Sequence, residues 1–314
     1  MHTDKRRYLI ATLILTSAII LFSTWSFSKT AKAKILILIS SRFSPYLAAF
    51  SGLEASLSTD MEALDLAVED ISRSSPVTTA KLIMNSHTGL IVTIGTKATM
   101  STVAMNIHVP IVFSMVLDPP DDLLHHPQVT GVLIDIPPAV QLEWIRKICP
   151  KVTRIGIIYT RATKHWITRM RPDAERLGLV IVPLMIDNIS TLPKILDTLK
   201  SNADLLLSIP DGTIYNPVIS PRIIMYCIEH KIPLVGLSKN FTRAGALFAL
   251  ECDYRAIGKQ TAEMVKEIIR GGSISAIPLA YPRKIKALIN LRTARILGIK
   301  ISTSVLENAE ICSD

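Results

Sequence analysis

The sequence predicts an α/β protein: two doubly wound parallel-sheet lobes joined by a hinge, preceded by an N-terminal signal or anchor helix. Three observations carry that prediction. Short runs rich in Ile, Leu and Val recur along the chain, each closed by turn residues and followed by a helical stretch, the spacing of βαβ units. These runs fall into two consecutive series, the number of lobes that 314 residues and 49% hydrophobic content suggest. Several strands end in small polar residues, as the carboxyl edge of a parallel sheet does where open α/β folds bind ligands.

The chain opens with Lys5-Arg6-Arg7 and an almost unbroken apolar run from Tyr8 to Phe27. A basic segment followed by an apolar one is the pattern of a secretory signal. Ala31-Lys32-Ala33 supplies a small-x-small cleavage site with Lys34 as the first mature residue, and Ser26-Phe27-Ser28 is a second candidate. The run is also about 20 residues long, enough to span a bilayer. Residues 1–33 therefore read as a signal peptide or as a membrane anchor through Tyr8–Phe27. In both cases the basic flank stays in the cytoplasm and the body is exported, giving a periplasmic or extracytoplasmic location.

Ile35–Ser40 reads as a strand, and Pro45–Leu57 as a helix opened by Ser44 and Pro45. Met61–Ile71 fits helix or strand, and Ser72–Thr79 reads as a polar loop. Leu90–Ile94 is a buried strand turned by Gly95-Thr96 into a helix start, and Val109–Pro119 contains the next strand. Thr130–Asp135 is another, after which Pro137-Pro138 opens a helix that ends at Cys149-Pro150. The second series has strands at Arg154–Tyr159, Val180–Ile186, Asp204–Ile209, Pro233–Leu237 and Ala246–Leu250. Helices at His165–Leu177, Leu192–Lys200 and Pro217–His230 alternate with them. Tyr254–Arg270 is a long amphipathic helix stopped by Gly271-Gly272; strand-like Lys286–Leu291 and helical Thr293–Leu297 follow.

Composition excludes several function classes. The formal charge of +9 owes +4 to the first 32 residues, and the remaining +5 is scattered with no run of one sign, so no nucleic-acid partner is expected. Four cysteines stand far apart without a CxxC, which removes zinc and redox motifs. Cys149 and Cys227 read as free buried thiols, while a pairing of Cys252 with Cys312 stays open. His125-His126 beside Asp121-Asp122 reads as an exposed loop, so no metal is expected. No GxGxxG occurs, and Gly95-Thr96-Lys97 lacks the leading glycine of a phosphate loop, so no cofactor is expected. Gly236-Leu237-Ser238 begins like a nucleophile elbow, but Asn240 stands where the closing glycine belongs. No base, nucleophile and orienter fall together, and the chain does not read as an enzyme.

The ordered segments IGTKAT, VPIVFSMVLDP, TGVLIDIPPAVQLEWIRKICP and RIGIIY resemble the substrate-binding proteins of ABC transporters with the type I periplasmic-binding fold. SIPDGTIYNP, KIPLVGLS, AGALFALECDYRAIGKQTAEMV and INLRTARILGI continue the likeness over nearly all of residues 35–301. The branch it looks closest to includes receptors for aromatic amino acids. The resemblance implies two lobes joined by three crossovers, with a solute between them and the helix from Tyr254 packed back on the first lobe. The lobes would be residues 34–135, completed by 253–275, and residues 136–252, with 276–314 as a C-terminal crossover segment. Where relatives continue the first lobe with a clear second strand, residues 59–77 here are acidic and irregular.

A receptor needs convergent polar groups at the strand ends of both lobes. Ser41 and Tyr46 follow the first strand. Thr96, Ala98 and Thr99 stand at a helix N-terminus after Gly95, where backbone N–H groups and the helix dipole suit a carboxylate. An ordinary N-cap by Thr96 would look the same. Ser114 ends the next strand, and Asp118-Pro119 reads as a turn or a contact. On the second lobe Asp211 would pair a ligand ammonium, and Ser238 would add a hydroxyl. Together they describe a seat for a zwitterion such as an amino acid. The expected partners are that small solute and an ABC permease in the inner membrane, and the receptor itself is expected to be a monomer. The alternative is a membrane-anchored sensory domain whose closure on the solute signals to a partner protein.

Overall fold

The computed structural model describes residues 33–58 and 64–312. The signal or anchor segment lies outside the described residues.

The first sheet is parallel throughout, in the order β2-β1-β3-β4-β5. Its strands are β1 (Ala33–Ile39), β2 (Leu64–Asp70), β3 (Leu90–Ile94), β4 (Ile111–Val116) and β5 (Val129–Leu133). A parallel sheet is buried on both faces, which is why β1 reads AKILILI without polar alternation. Ile35, Ile37 and Ile39 join one core with Ala49, Leu53 and Leu57 of helix α1 (Ser44–Leu57). Leu36 and Leu38 point to the other, with Ile83 of α2 (Pro76–Ser86) and Ala98 of α3 (Thr96–Val103). A short α4 (Asp121–Leu124) and then α5 (Pro138–Ile148) follow in the chain.

Two expectations for this lobe are corrected. The stretch read as acidic and irregular contains a regular edge strand, β2, in full parallel register with β1 from Leu64 opposite Ala33 to Asp70 opposite Ile39. Its acidic residues suit an edge, where one side of the strand has no partner. Residues 72–79, read as a loop, contain the start of α2. Ser75 accepts the Thr78 N–H at 3.1 Å and Pro76 occupies the first turn, an N-cap and N1 pair.

The second sheet has the order β12-β11-β10-β9-β8-β6-β7. Its strands are β6 (Arg154–Tyr159), β7 (Val180–Met185), β8 (Leu205–Leu207), β9 (Leu234–Gly236), β10 (Phe248–Cys252), β11 (Ile285–Ile289) and β12 (Ala309–Ile311). Helices α6 (His165–Arg176), α7 (Leu192–Asn202), α8 (Ser220–Glu229) and α9 (Lys239–Ala244) connect the first five. The sheet is parallel except at β10 and β11, which run antiparallel. The segment past residue 276 thus adds two strands to the second sheet, with α11 (Leu291–Leu297) and α12 (Thr303–Leu306) beside them; Ala294 and Val305 enter that lobe's core.

The chain passes between the sheets three times: after β5, between β10 and α10 (Tyr254–Ile269), and between Ala280 and β11. On the third pass Ala280 pairs with β5, donating to Gly131 O at 3.0 Å and accepting from Leu133 N at 2.9 Å. The helix α10 leaves the second sheet and packs on α1. Their crossing is close because both contribute a glycine. A Cβ on Gly258 would stand 1.8 Å from Ala49 O, and one on Gly52 2.0 Å from Arg255 O.

All four cysteines are buried and unpaired, so Cys252 and Cys312 form no disulfide. Burial pushes the thiols of Cys149 and Cys227 up to about 12, and neither is a nucleophile at neutral pH.

Candidate binding site between the lobes

A cavity of about 260 Å³ lies where the strand ends of the two sheets face each other. The first lobe contributes Leu117, Ile134 and Asp135, and the second Trp166, Ser208, Pro210, Gly236 and Leu237. Ile136, Glu251, Cys252 and Tyr254, at the crossings, close it. A neighbouring cavity of about 370 Å³ shares Asp135, Ile136 and Trp166 as its wall.

Three of the residues that line the first cavity also hold a buried polar atom: Asp135 Oδ1, Trp166 Nε1 and Ser208 Oγ, the last beside the Tyr215 hydroxyl. Their residues are only 6%, 3% and 3% exposed. Trp166 Nε1 has no hydrogen-bond partner within the protein, and an unmade bond of this kind costs about 1–3 kcal/mol. The other oxygen of Asp135 accepts the Asp118 N–H at 2.9 Å. Burial pushes the Asp135 carboxyl up to about 6, against the Asp118 N–H bond; the nearby Asp118 charge raises it further and Arg169 lowers it.

Strand β4 does not end regularly. Its register shifts between Ser114 and Val116, with Met115 at φ 65°, a bulge of the kind that redirects a strand end. Asp118 follows at φ 47°, a backbone region that aspartate tolerates better than most residues. Its carboxylate ties the lobes together. His165 Nε2 stands 2.9 and 2.8 Å from the two oxygens, and Arg169 Nη1 donates to Oδ1 at 2.9 Å. Helix α6 thus supplies both the cavity's indole and the two groups that hold Asp118.

The residues singled out in the sequence fall into three places, and none lines this cavity. Tyr46 and the α3 N-terminus are grouped. Ser40 Oγ accepts the Ala98 N–H at 2.9 Å, and the Tyr46 ring lies against Gly95 so closely that a Cβ there would meet Cζ at 2.7 Å. Ser41 is half-buried beside them. Thr96 Oγ1 accepts from Leu117 N at 3.4 Å, which puts it one residue from the cavity wall. Thr99 and Ser114 are core residues: the Thr99 hydroxyl donates to Gly95 O at 3.0 Å, and Ser114 Oγ accepts from Thr261 at 3.0 Å.

Asp211 is buried beneath the second lobe's loops. Its carboxylate accepts from Thr160 N and Oγ1, Thr163 Oγ1, Thr213 N and Ile214 N, at 2.6 to 3.3 Å. Burial alone would raise its carboxyl, but the bonds from Thr163 and Thr160 outweigh it and hold the group below the ordinary carboxylate range. With five donors already on it, Asp211 acts as the cap that fixes the β6 and β8 loops. Ser238 is half-buried next to Leu237, and its carbonyl accepts the Thr242 N–H at 3.2 Å.

Sequence reasoning did not single out Asp135, Trp166, Ser208 and Glu251, which line this cavity. Asp135 and Ser208 close strand-like runs, TGVLID and DLLLS, so the strand-end rule that singled out Ser114 reaches them too. Trp166 carries no such signal, since an apolar residue in an amphipathic helix reads as core. Among the described residues no cluster of three or more His, Cys, Asp or Glu has an arrangement that would hold a metal ion.

Two sheets with three crossings and a cavity between their strand ends define a two-lobed ligand-binding protein. The chain belongs to the ABC transporter substrate binding protein family, whose model matches residues 54–312. It is 23% identical to a tyrosine-binding protein of Clostridioides difficile over 230 residues, and 24% identical to an uncharacterized protein of Rickettsia prowazekii over 206. These matches cover 70% and 65% of this chain; it spans about two thirds of the relatives' length, 66% and 65%. Among solved structures it is similar to the ligand-free, open form of a substrate-binding protein with adhesive properties from Clostridium difficile. That match has a TM-score of 0.76 and 21% identity, covering 90% of this chain and 99% of that one. A Streptococcus pneumonia domain in complex with L-Trp matches with a TM-score of 0.64 and 22% identity, over 90% of this chain and 100% of that one. The fold is that of type I periplasmic binding proteins. That family is one of substrate-binding proteins, so the chain is a binding protein and not an enzyme.

Proposed function

We propose that the chain is the extracytoplasmic receptor of an ABC uptake transporter. It traps a small solute of the amino-acid class between its lobes and presents it to a permease in the inner membrane. The observation that carries this reading is the cavity itself, lined by residues of both lobes at their strand ends. A solute held there would touch both lobes and so favour the closed arrangement over the open one.

Two further facts support the solute class. One relative is described as tyrosine-binding, and one structural neighbour was solved with L-Trp. The cavity also combines aromatic and aliphatic walls with few polar groups, the usual make-up of a small-molecule site. Asp135 and Glu251 are the acidic residues in the cavity's lining, whereas the sequence suggested Asp211 for pairing a solute's ammonium. The basic and apolar N-terminal segment supports export.

A thermal-shift screen of the purified full chain against amino acids, amines, sugars, nucleosides and small peptides tests the proposal. A solute at 100 times its dissociation constant adds about 2.7 kcal/mol to stability, which raises the melting point by several degrees. A hit recovered chemically unchanged is the expected result. A solute converted to product during incubation would contradict the receptor reading.

A further inference from the structure

A further cavity, of about 700 Å³, opens on the edge of the second sheet that faces away from the first lobe. It lies where strands begin. Val152, Asp204 and Pro233 stand just before β6, β8 and β9, whereas the cavity between the lobes takes Ser208 and Gly236 from strand ends. Its volume is within the range of small-molecule sites, about 300–1,000 Å³. Nothing in the receptor reading uses it.

Three lysines line it, Lys151, Lys231 and Lys300, brought together from beyond the ends of α5, α8 and α11. Among the described residues none of their ammoniums enters an ion pair or a hydrogen bond. Asp204, the carboxylate of the lining, is already committed. Arg154 Nη2 donates to it at 2.7 Å, and Thr153 N and Arg154 N at 3.0 and 2.8 Å. Lysines past helix ends also answer the carbonyl dipoles there, but each end carries only about half a negative charge, so the cavity stays positive. Lys231 adds an independent indication. It stands at φ 55°, the left-handed place after α8 where a helix usually ends on glycine, so an ammonium is kept there at a conformational cost.

A carboxylate would bring one negative charge to this cavity. A phosphate ester brings about −1.5 to −2 near neutral pH with three acceptor oxygens, and lysines meet it as point charges. The rest of the wall is largely apolar, with Ile148, Val152, Leu297 and Ile299. We infer that this cavity binds a phosphate monoester or pyrophosphate group carried on a small apolar body, either free or as the head group of a lipid. The site is separate from the solute cavity, and its failure leaves the receptor reading untouched.

Isothermal titration of the full chain in nonionic detergent at pH 7.5 tests it with phenyl phosphate and pyrophosphate, against benzoate. A second arm uses the same micelles doped with phosphatidic acid or with phosphatidylcholine. The phosphates are expected to bind at least tenfold tighter than benzoate. Joint Lys151→Gln, Lys231→Gln and Lys300→Gln substitution is expected to weaken them at least tenfold. Joint Arg146→Gln and Lys200→Gln substitution, at exposed basic residues of α5 and α7 outside the lining, is expected to change them less than twofold. Lys231→Gly suits the left-handed backbone, so it is expected to raise the melting point yet weaken the phosphates twofold or more. Binding of phenyl phosphate supports a free phosphate as the ligand, and binding of phosphatidic acid alone supports the lipid. Equal loss in the two multiple variants would mean a diffuse positive surface and overturns the site. Absence of binding by every phosphate probe, or benzoate binding as tightly, overturns it too.

Discussion

Asp135 carries its charge where a carboxylate is least comfortable, and that makes its titration a measurable quantity. An unfolded aspartate titrates at ~3.9, whereas burial pushes this one up to about 6. The folded protein therefore holds the extra proton between those values. The stability this brings is full below pH ~4, and it is lost as the pH rises through 6, a difference of about 3 kcal/mol at neutral pH. Asp118 and Arg169 act on Asp135 through their charges, and Asp135 acts so on Cys252, while Glu251 and Tyr254 share one cavity lining with it, and Asp121, Asp173 and Tyr281 the neighbouring one. Asp135→Asn is expected to exceed the wild type in urea stability at pH 7.5, with the gap closing by pH 4. A gap that does not change with pH would contradict the assignment. Asp211 behaves in the opposite sense. Its carboxyl lies below the ordinary range, so its stabilisation is present above pH ~4 and is lost on further acidification. Asp211→Ala strands five donors and is expected to lower stability by about 3 kcal/mol or more. If it melts like the wild type but fails to bind solute, Asp211 is a ligand contact after all.

At the level of elements, the crossing of α1 and α10 is where one added methyl does most damage. Gly258→Val would drive side-chain carbons into the Ala49 carbonyl, and overpacking of this kind costs about 1–3 kcal/mol. The expected drop in melting temperature is roughly 5–10 °C. A fall under 1 °C would show that the two helices part without penalty. The elements were mostly legible in the sequence, because parallel strands buried on both faces leave unbroken runs such as ILILI, LIVTI and IVFSMV. Where the chain leaves that pattern, the reading weakened. Strand β2, LDLAVED, sits at an edge and alternates too little apolar with too much acidic to exclude a helix. Ser75-Pro76 looked like a turn, although the same pair caps α2. The three-residue β12 is held by its pairing with β11, which no local pattern reports. The close glycine crossing was equally silent, since nothing near Gly258 names Ala49 as its neighbour.

Across the whole molecule, the Asp118 contacts with His165 and Arg169 are what bind one lobe's loops to the other's helix. All three side chains are partly exposed, at 25% to 38%, so each pair is worth only about 0.2–1 kcal/mol. That is still enough to shift an equilibrium between open and closed forms several-fold. Asp118→Ala is expected to enlarge the solution radius of gyration and to speed solute release several-fold, an effect that shrinks in high salt. An unchanged radius and release rate would mean that the lobes are held by other contacts. The binding site was only half legible. Strand-end reasoning pointed to the edges of both sheets between which the candidate cavity lies, and none of the residues it singled out lines that cavity. Asp135, Trp166 and Ser208 come from β5's end, α6 and β8, and their convergence depends on how two separately folded sheets face each other. Hydrogen exchange of the full chain with and without a bound solute tests that arrangement directly. The account predicts simultaneous slowing at the ends of β5 and β8 and at the start of α6, with little change at β2 or β7. Slowing confined to one lobe would contradict a solute held between the two.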